Sequence, residues 1–291
     1  MSLSKKLIAI IAAMVLVLSM VLVGCGNNSN NNSSGSNSSN NSSSSSGNNS
    51  SGNTSTNSLK LVKEGTLTIG SDCDYPPFIV LEGKNPQGFE YDLMEAIAAD
   101  MGLKLEYLEP QNFDTLIAAV AGGTKMDLAV SSLTITDERK QTVDFCTPYF
   151  DSNQACVARK DSPYTSAKDL EGKTVGAQSG TTGKDWADEH LQGIKMKPFN
   201  QTSEGLVALQ AGEIEALFFD APIAEYQIAN NFPEMKIVEV IPTGEQYGFA
   251  VSKDNPALKS QVNASLKKLV DNGTYAKIFK KYFPNLEPSI S

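Results

Sequence analysis

The sequence predicts an α/β protein of two similar units, each a mostly parallel sheet flanked by helices. Three observations carry this. Short apolar, β-rich runs alternate with stretches whose apolar residues recur at the helix period, in the order β-α-β-α-β. The same order recurs further along the chain. The two units also share a look-alike segment. Asp114-Thr-Leu-Ile-Ala-Ala-Val-Ala-Gly-Gly-Thr-Lys-Met-Asp-Leu-Ala-Val130 and Glu204-Gly-Leu-Val-Ala-Leu-Gln-Ala-Gly-Glu-Ile-Glu-Ala-Leu-Phe-Phe219 both read as helix, glycine stop, short turn and apolar strand.

In the first unit, residues 67–70 read as a strand, followed by the Pro-containing loop Tyr75-Pro76-Pro77-Phe78. Residues 89–101 place Phe89, Leu93, Ile97 and Met101 at helical spacing, and Gly102 is the stop. A strand over 103–108, a short helix over 112–121 ended by Gly122-Gly123, and a buried strand over 126–130 complete the unit. In the second unit the elements are a strand at 173–177, a helix at 182–191, a strand at 194–198, a helix at 203–211 and a strand at 216–219. The tail, 255–282, reads as helical, with Leu258, Val262, Leu266 and Val270 at the helix period. Parallel strands joined this way need right-handed crossovers. Ligands of open parallel sheets sit beyond the carboxyl ends of the strands. The residues at those ends are Ser71-Asp72, Ser131-Ser132-Leu133-Thr134, Gln178 to Thr182, and Asp220.

Ahead of the folded part, Lys5 and Lys6 precede an apolar run over 7–23. A short positive segment followed by an apolar stretch is the pattern of a secretory signal. The run is long for a signal core and short for a membrane span of about 20 residues. Leu22-Val23-Gly24-Cys25 resembles the bacterial lipobox, which implies a signal peptide over 1–24 and a lipid on Cys25. Residues 26–58 are almost wholly Asn, Ser and Gly, with no apolar surface to offset ordering entropy. They read as a disordered tether with an end-to-end distance of roughly 30 Å.

Composition excludes several functions. The chain has 24 basic and 33 acidic residues, a net charge of −9. That balance argues against nucleic acid, whose binding rests on neutralising phosphates. With a single histidine, His190, neither a histidine-built metal site nor Ser-His-Asp catalysis is expected. Cys73, Cys146 and Cys156 show no CxxC spacing, so no structural zinc is expected, and the sequence reading assigns no cofactor. As an odd set they leave at least one free thiol, and their pairing stays open.

The strand-end residues suit a zwitterion. Arg139 offers the planar fork that grips a carboxylate. Thr181 and Thr182 stand where a helix begins, and its free N–H groups and dipole favour an anion. Asp220 can pair an ammonium, while Ser131, Ser132 and Thr134 add polar partners. Each has a plainer role: an isolated Arg as surface charge, Thr as a helix cap, Asp220 capping the helix that Ala221-Pro222 begins.

The stretches Gly70-Ser-Asp-Cys-Asp-Tyr-Pro-Pro-Phe78, Gly88-Phe-Glu-Tyr-Asp-Leu93, Ser131-Ser-Leu-Thr-Ile-Thr-Asp-Glu-Arg139, Asp144-Phe-Cys-Thr-Pro-Tyr149 and Gly180-Thr-Thr182 follow one another in order. Together they resemble the polar-amino-acid-binding proteins of bacterial ABC importers, extracellular solute-binding proteins of family 3. The resemblance implies the two-lobed periplasmic-binding-protein fold with two hinge crossings, near 150–157 and 245–249. Lobe 1 would comprise 59–150 plus 250–291, and lobe 2 residues 151–249 with the hinge strands. It implies that Arg139, Thr134 and Thr182 hold the α-carboxylate and that Asp220, assisted by Ser132, holds the ammonium. Tyr75 and Phe113 would sandwich the side chain, and Asp72 would read it. Gln178 can serve as a neutral partner.

The implied ligand is a free amino acid, arginine or lysine ahead of glutamine, histidine and cystine. The implied partners are a membrane permease and, through Cys25, membrane lipid, with the protein itself a monomer. The sequence departs from the family pattern at Ile79, where many relatives have glutamate. It departs again at Glu90, where aspartate is usual, and at Cys73 and Cys146, where small or polar residues are commoner. Two other functions exist on this fold. An enzyme of dehydratase or lytic type needs an aimed acid or base, for which Asp72, Asp74 and Glu138 are the nearest candidates. A sensing module needs a membrane-spanning and signalling segment after the lobes, and none is expected here.

Overall fold

The computed structural model describes residues 59–290. The signal peptide, Cys25 and the Asn/Ser/Gly tether lie outside the described residues. Along the chain the strands and helices are β1 (Thr66–Gly70), β2 (Asp74–Tyr75), β3 (Ile79–Glu82), β4 (Asn85–Gln87), α1 (Phe89–Asp100), β5 (Lys104–Tyr107), α2 (Leu116–Ala121), β6 (Leu128–Ala129), α3 (Asp137–Thr142) and β7 (Asp144–Phe145). There follow β8 (Phe150–Arg159), β9 (Thr174–Gln178), α4 (Thr182–His190), β10 (Lys195–Phe199), α5 (Thr202–Gln210), β11 (Ala216–Asp220), α6 (Ala221–Asn230), β12 (Met235–Tyr247), β13 (Ala250–Val251), α7 (Pro256–Asp271) and α8 (Thr274–Tyr282).

Two five-stranded sheets form the two lobes, in the orders β5-β1-β6-β13-β7 and β10-β9-β11-β8-β12. In each, the first three strands are parallel and the fourth runs against them. The two halves therefore repeat one topology, as the paired sequence segments predict. Two parallel strands cannot be joined by a hairpin, so helices α1 and α2 cross over in one lobe and α4 and α5 in the other. Helix α1 buries Phe89, Leu93 and Ile97 along one face, which is why that stretch reads at helical spacing.

Both crossings run through long strands. Residues Phe150 and Tyr247 face each other in the β8–β12 pair, and their rings stack 5.7 Å apart. Beside them Tyr149 and Phe249 stack at 4.2 Å. These rings, with Phe78, Phe89, Tyr275, Phe279 and Phe283, form a buried aromatic core where the chain leaves and re-enters the first lobe. Stacked and edge-on aromatic pairs each contribute about 0.5–1.5 kcal/mol beyond their burial, so the crossing is anchored on its lobe 1 side.

Two elements go beyond the sequence reading and a third refines it. The Pro loop begins in β2, part of a small antiparallel sheet of order β2-β3-β4. The tail is helical as expected, and it divides into α7 and α8 where Gly273 takes a left-handed conformation (φ 78°). Helix α3 was not expected, although Thr136 caps it by accepting from the Arg139 N–H at 3.1 Å. Cys73, Cys146 and Cys156 are all free and buried. Among the described residues no helix is long and apolar enough to cross a membrane.

Candidate functional site: a polar cleft between the two lobes

The carboxyl ends of both sheets converge on a cleft whose empty space, its open mouth included, is about 330 Å³. It is lined by Asp72, Tyr75, Phe113, Ser132, Thr134 and Arg139 from one lobe and by Gln178, Thr181, Thr182, Phe219 and Asp220 from the other. The structure thus gathers every expected site residue at the cleft except Ser131, which stands behind Asp72. It adds Phe219, the last apolar residue of β11, which the sequence reading treated only as strand.

Asp72 follows β1 and is buried. Its Oδ1 accepts from Ser131 Oγ at 2.6 Å and its Oδ2 accepts from Gln178 Nε2 at 2.9 Å. Gln178 is held in turn by Asn200 and Thr202. These neutral donors orient the carboxylate without cancelling its charge, and burial raises its pKa above the ordinary value. Tyr75 forms one wall, its hydroxyl accepting from the Asp220 N–H across the cleft at 3.2 Å.

Ser132 adopts an unusual positive φ of 48°. Such backbone persists only where surroundings fix it. Here Glu90 supplies the fixture: its Oε1 accepts from the Ser132 N–H at 2.7 Å and from the Tyr149 hydroxyl. Glu90 is fully buried and its carboxyl is pushed up to about 7 by that burial. The substitution of glutamate for the usual aspartate therefore sits at a support for the cleft floor.

Arg139 projects from α3. Its Nη1 donates to Thr134 O at 2.7 Å and its Nη2 to Gly180 O at 2.9 Å, so the guanidinium bridges the lobes. It lies 5.6 Å from the centre of the Phe113 ring. No carboxylate comes within 4.0 Å of it among the described residues. A fixed, partly desolvated guanidinium with only carbonyl partners is a strong anion receptor. Next to it, Thr181 caps α4 by accepting from the Lys184 N–H at 3.3 Å. Thr182 is the first helical residue, so its own N–H has no partner within the helix. Gly180, between them and Arg139, has φ 75°, and a Cβ there would lie 3.0 Å from Asp114 Cβ. Only glycine allows both that backbone and so close an approach of the lobes.

Asp220 does not cap α6; its side chain makes no capping bond and turns into the cleft. Its Oδ2 accepts from Tyr247 Oη at 2.5 Å, and the Gln154 amide donates to its Oδ1. Burial, followed by the charge of Glu245, pushes the Asp220 carboxyl up to about 7. Gln154 and Tyr247 come from the two hinge strands and were not expected in the site. A polar residue directly ahead of the apolar run 155–158 was the available sign for Gln154. The only histidine, His190, stacks on Trp186 on the far part of α4, away from the cleft lining. Among the described residues no group of His, Cys, Asp and Glu is placed to hold a metal.

Two lobes closing on a polar cleft with one fixed cation and two fixed anions define a ligand-binding protein of the hinged, two-lobed class. The family model for bacterial extracellular solute-binding proteins, family 3, matches residues 67–285. The chain belongs to that family, and so to binding proteins rather than enzymes. It is 33% identical over 234 residues to the arginine-binding extracellular protein ArtP of Bacillus subtilis, covering 79% of this chain and 90% of ArtP. It is similar to the crystal structure of the arginine-, lysine-, histidine-binding protein ArtJ of Geobacillus stearothermophilus, with a TM-score of 0.71 and 33% identity, covering 77% of this chain and 97% of ArtJ. An ancestral arginine-binding protein bound to arginine gives a TM-score of 0.71 and 38% identity, covering 75% of this chain and 98% of its own.

Proposed function

We propose that the protein binds one free polar amino acid outside the cell, arginine or lysine ahead of glutamine, histidine and cystine. It delivers that ligand to the membrane permease of an ABC importer. The observation that carries this is the charge pattern of the cleft. Arg139 is a cation without an anion, while Asp72 and Asp220 are buried carboxyl groups without a cation. A basic amino acid presents the complement: a carboxylate for Arg139, an ammonium for Asp220 and a side-chain cation for Asp72. A neutral amino acid would leave Asp72 buried and unpaired, at a cost of several kcal/mol unless it took up a proton. Tyr75 and Phe113 offer aromatic faces to the stem and head of a long cationic side chain. The names of the similar proteins agree with this reading. In the same reading the protein acts as a monomer, and a lipid on Cys25 and the 26–58 spacer hold it at the outer face of the cell membrane after the signal peptide is removed.

The role of Asp220 has a distinct signature. Asp220→Asn should weaken amino acids far more than the same compounds lacking the α-amino group, and calorimetry with arginine and its des-amino analogue measures both. A carboxyl at about 7 in the free protein must ionise to pair an ammonium. Binding below pH 7 therefore releases a proton, and arginine affinity should fall as the pH drops from 7 to 5. Equal losses for both compounds, or a flat pH profile, would mean that Asp220 only braces the second lobe.

A further inference from the structure

Glu245 was expected only as the edge of a hinge crossing, and its side chain does not line the ligand cavity. Yet it accepts from Thr134 Oγ1 at 2.7 Å and from Thr182 Oγ1 at 2.9 Å, one residue from each lobe. The Gln154 amide, on the other hinge strand, lies 3.1 Å from both of its oxygens. We infer that Glu245 is a positioning residue that ties the two lobes together behind the carboxylate subsite, through the hydroxyls of Thr134 and Thr182. This rests on the amino-acid-binding reading above.

Two further observations support it. The β8–β12 register shifts between Ile241 and Glu245, and bulges of this kind re-aim side chains beside functional sites. Regular strand alternation does not carry across the shift, so the bulge sets which way Glu245 points. Its carboxylate is also not the partner of Arg139, since none lies within 4.0 Å of that guanidinium among the described residues. The guanidinium and the free N–H of Thr182 thus remain for the ligand, while the threonine hydroxyls are committed to Glu245. The tie exists only when both lobes are in contact, so it acts on how long the closed cleft holds its ligand.

The test uses the full chain, arginine as ligand, and stopped-flow association and dissociation with calorimetry. Glu245→Ala is expected to speed dissociation about ten- to a hundredfold, the effect of losing one or two charge-assisted hydrogen bonds. Association should change by no more than about threefold, since most effects on related complexes fall on dissociation. Glu245→Gln keeps a carbonyl for one hydroxyl and should recover part of the loss. Dissociation that is unchanged or slower in Glu245→Ala would overturn the inference; slower dissociation would mean that Glu245 competes with the ligand's carboxylate for the two hydroxyls. Equal losses in the two variants, with a lower melting temperature of the ligand-free protein, would overturn it in favour of a structural brace. A wild-type protein that binds no amino acid would overturn this inference together with the proposed function. A binding wild type with an indifferent Glu245→Ala overturns this inference alone.

Discussion

Arg139→Ala should nearly abolish amino-acid binding and leave the fold intact. The guanidinium is the only cation lining the cavity, and its two contacts are to the carbonyls of Thr134 and Gly180. Its removal leaves a ligand carboxylate in a closed cleft with backbone N–H groups alone. Losing one partner of a buried, hydrogen-bonded charge pair typically costs on the order of 2–5 kcal/mol, or about thirty- to several-thousand-fold in affinity. Part of the loss has a second source, because Arg139 also joins α3 to Gly180 of the other lobe. Arg139→Lys should recover little, since an ammonium cannot hold two carbonyls in fixed directions and present a flat face to a carboxylate. Calorimetry on the folded variants decides this. An unchanged affinity in Arg139→Ala would remove Arg139 from the site.

Asp72→Asn should change which ligand is preferred. In the wild type the carboxylate is buried and oriented by Ser131 and Gln178, so a cationic head group gains far more from it than a neutral one. The amide would leave an arginine or lysine head group desolvated and unpaired, while a glutamine side chain could still exchange hydrogen bonds with it. Arginine should therefore lose on the order of 2–5 kcal/mol and glutamine much less. Both ligands must be titrated against both proteins, because selectivity is a difference of affinities. A wild type that already favours glutamine, or a variant that loses both ligands equally, would make Asp72 an orienting residue of the loop.

Much of this was legible in the sequence because local signals and global fold agree. The helix-glycine-strand segments ending at Val130 and Phe219 carry their own periodicity and stops, and the topology follows from them. Strand-end residues were legible because parallel sheets place ligands there. What the sequence did not expose depends on pairings between distant residues. Glu245 and Gln154 reach the site only through the register of β8 and β12, and Glu245 only after a shift in that register. For Asp220 the sequence offered both an ammonium partner and a helix cap, and only the contact with Tyr247, distant in sequence, turns its side chain into the cleft. The α3 start was readable from Thr136 followed by Asp137 and Glu138, a capping residue ahead of acidic ones, but its six residues are too few to show a period. Likewise Glu82-Gly83-Lys84 between two short extended runs was the sign of the β3–β4 hairpin.

The most direct test of the central claim is isothermal titration of the wild-type protein with free arginine, lysine and glutamine, with the bound molecule then recovered and weighed by mass spectrometry. The charge pattern of the cleft predicts one ligand per chain, arginine or lysine bound more tightly than glutamine, and recovery of the amino acid unchanged. No heat with any of the three would contradict the account, and so would recovery of an altered molecule.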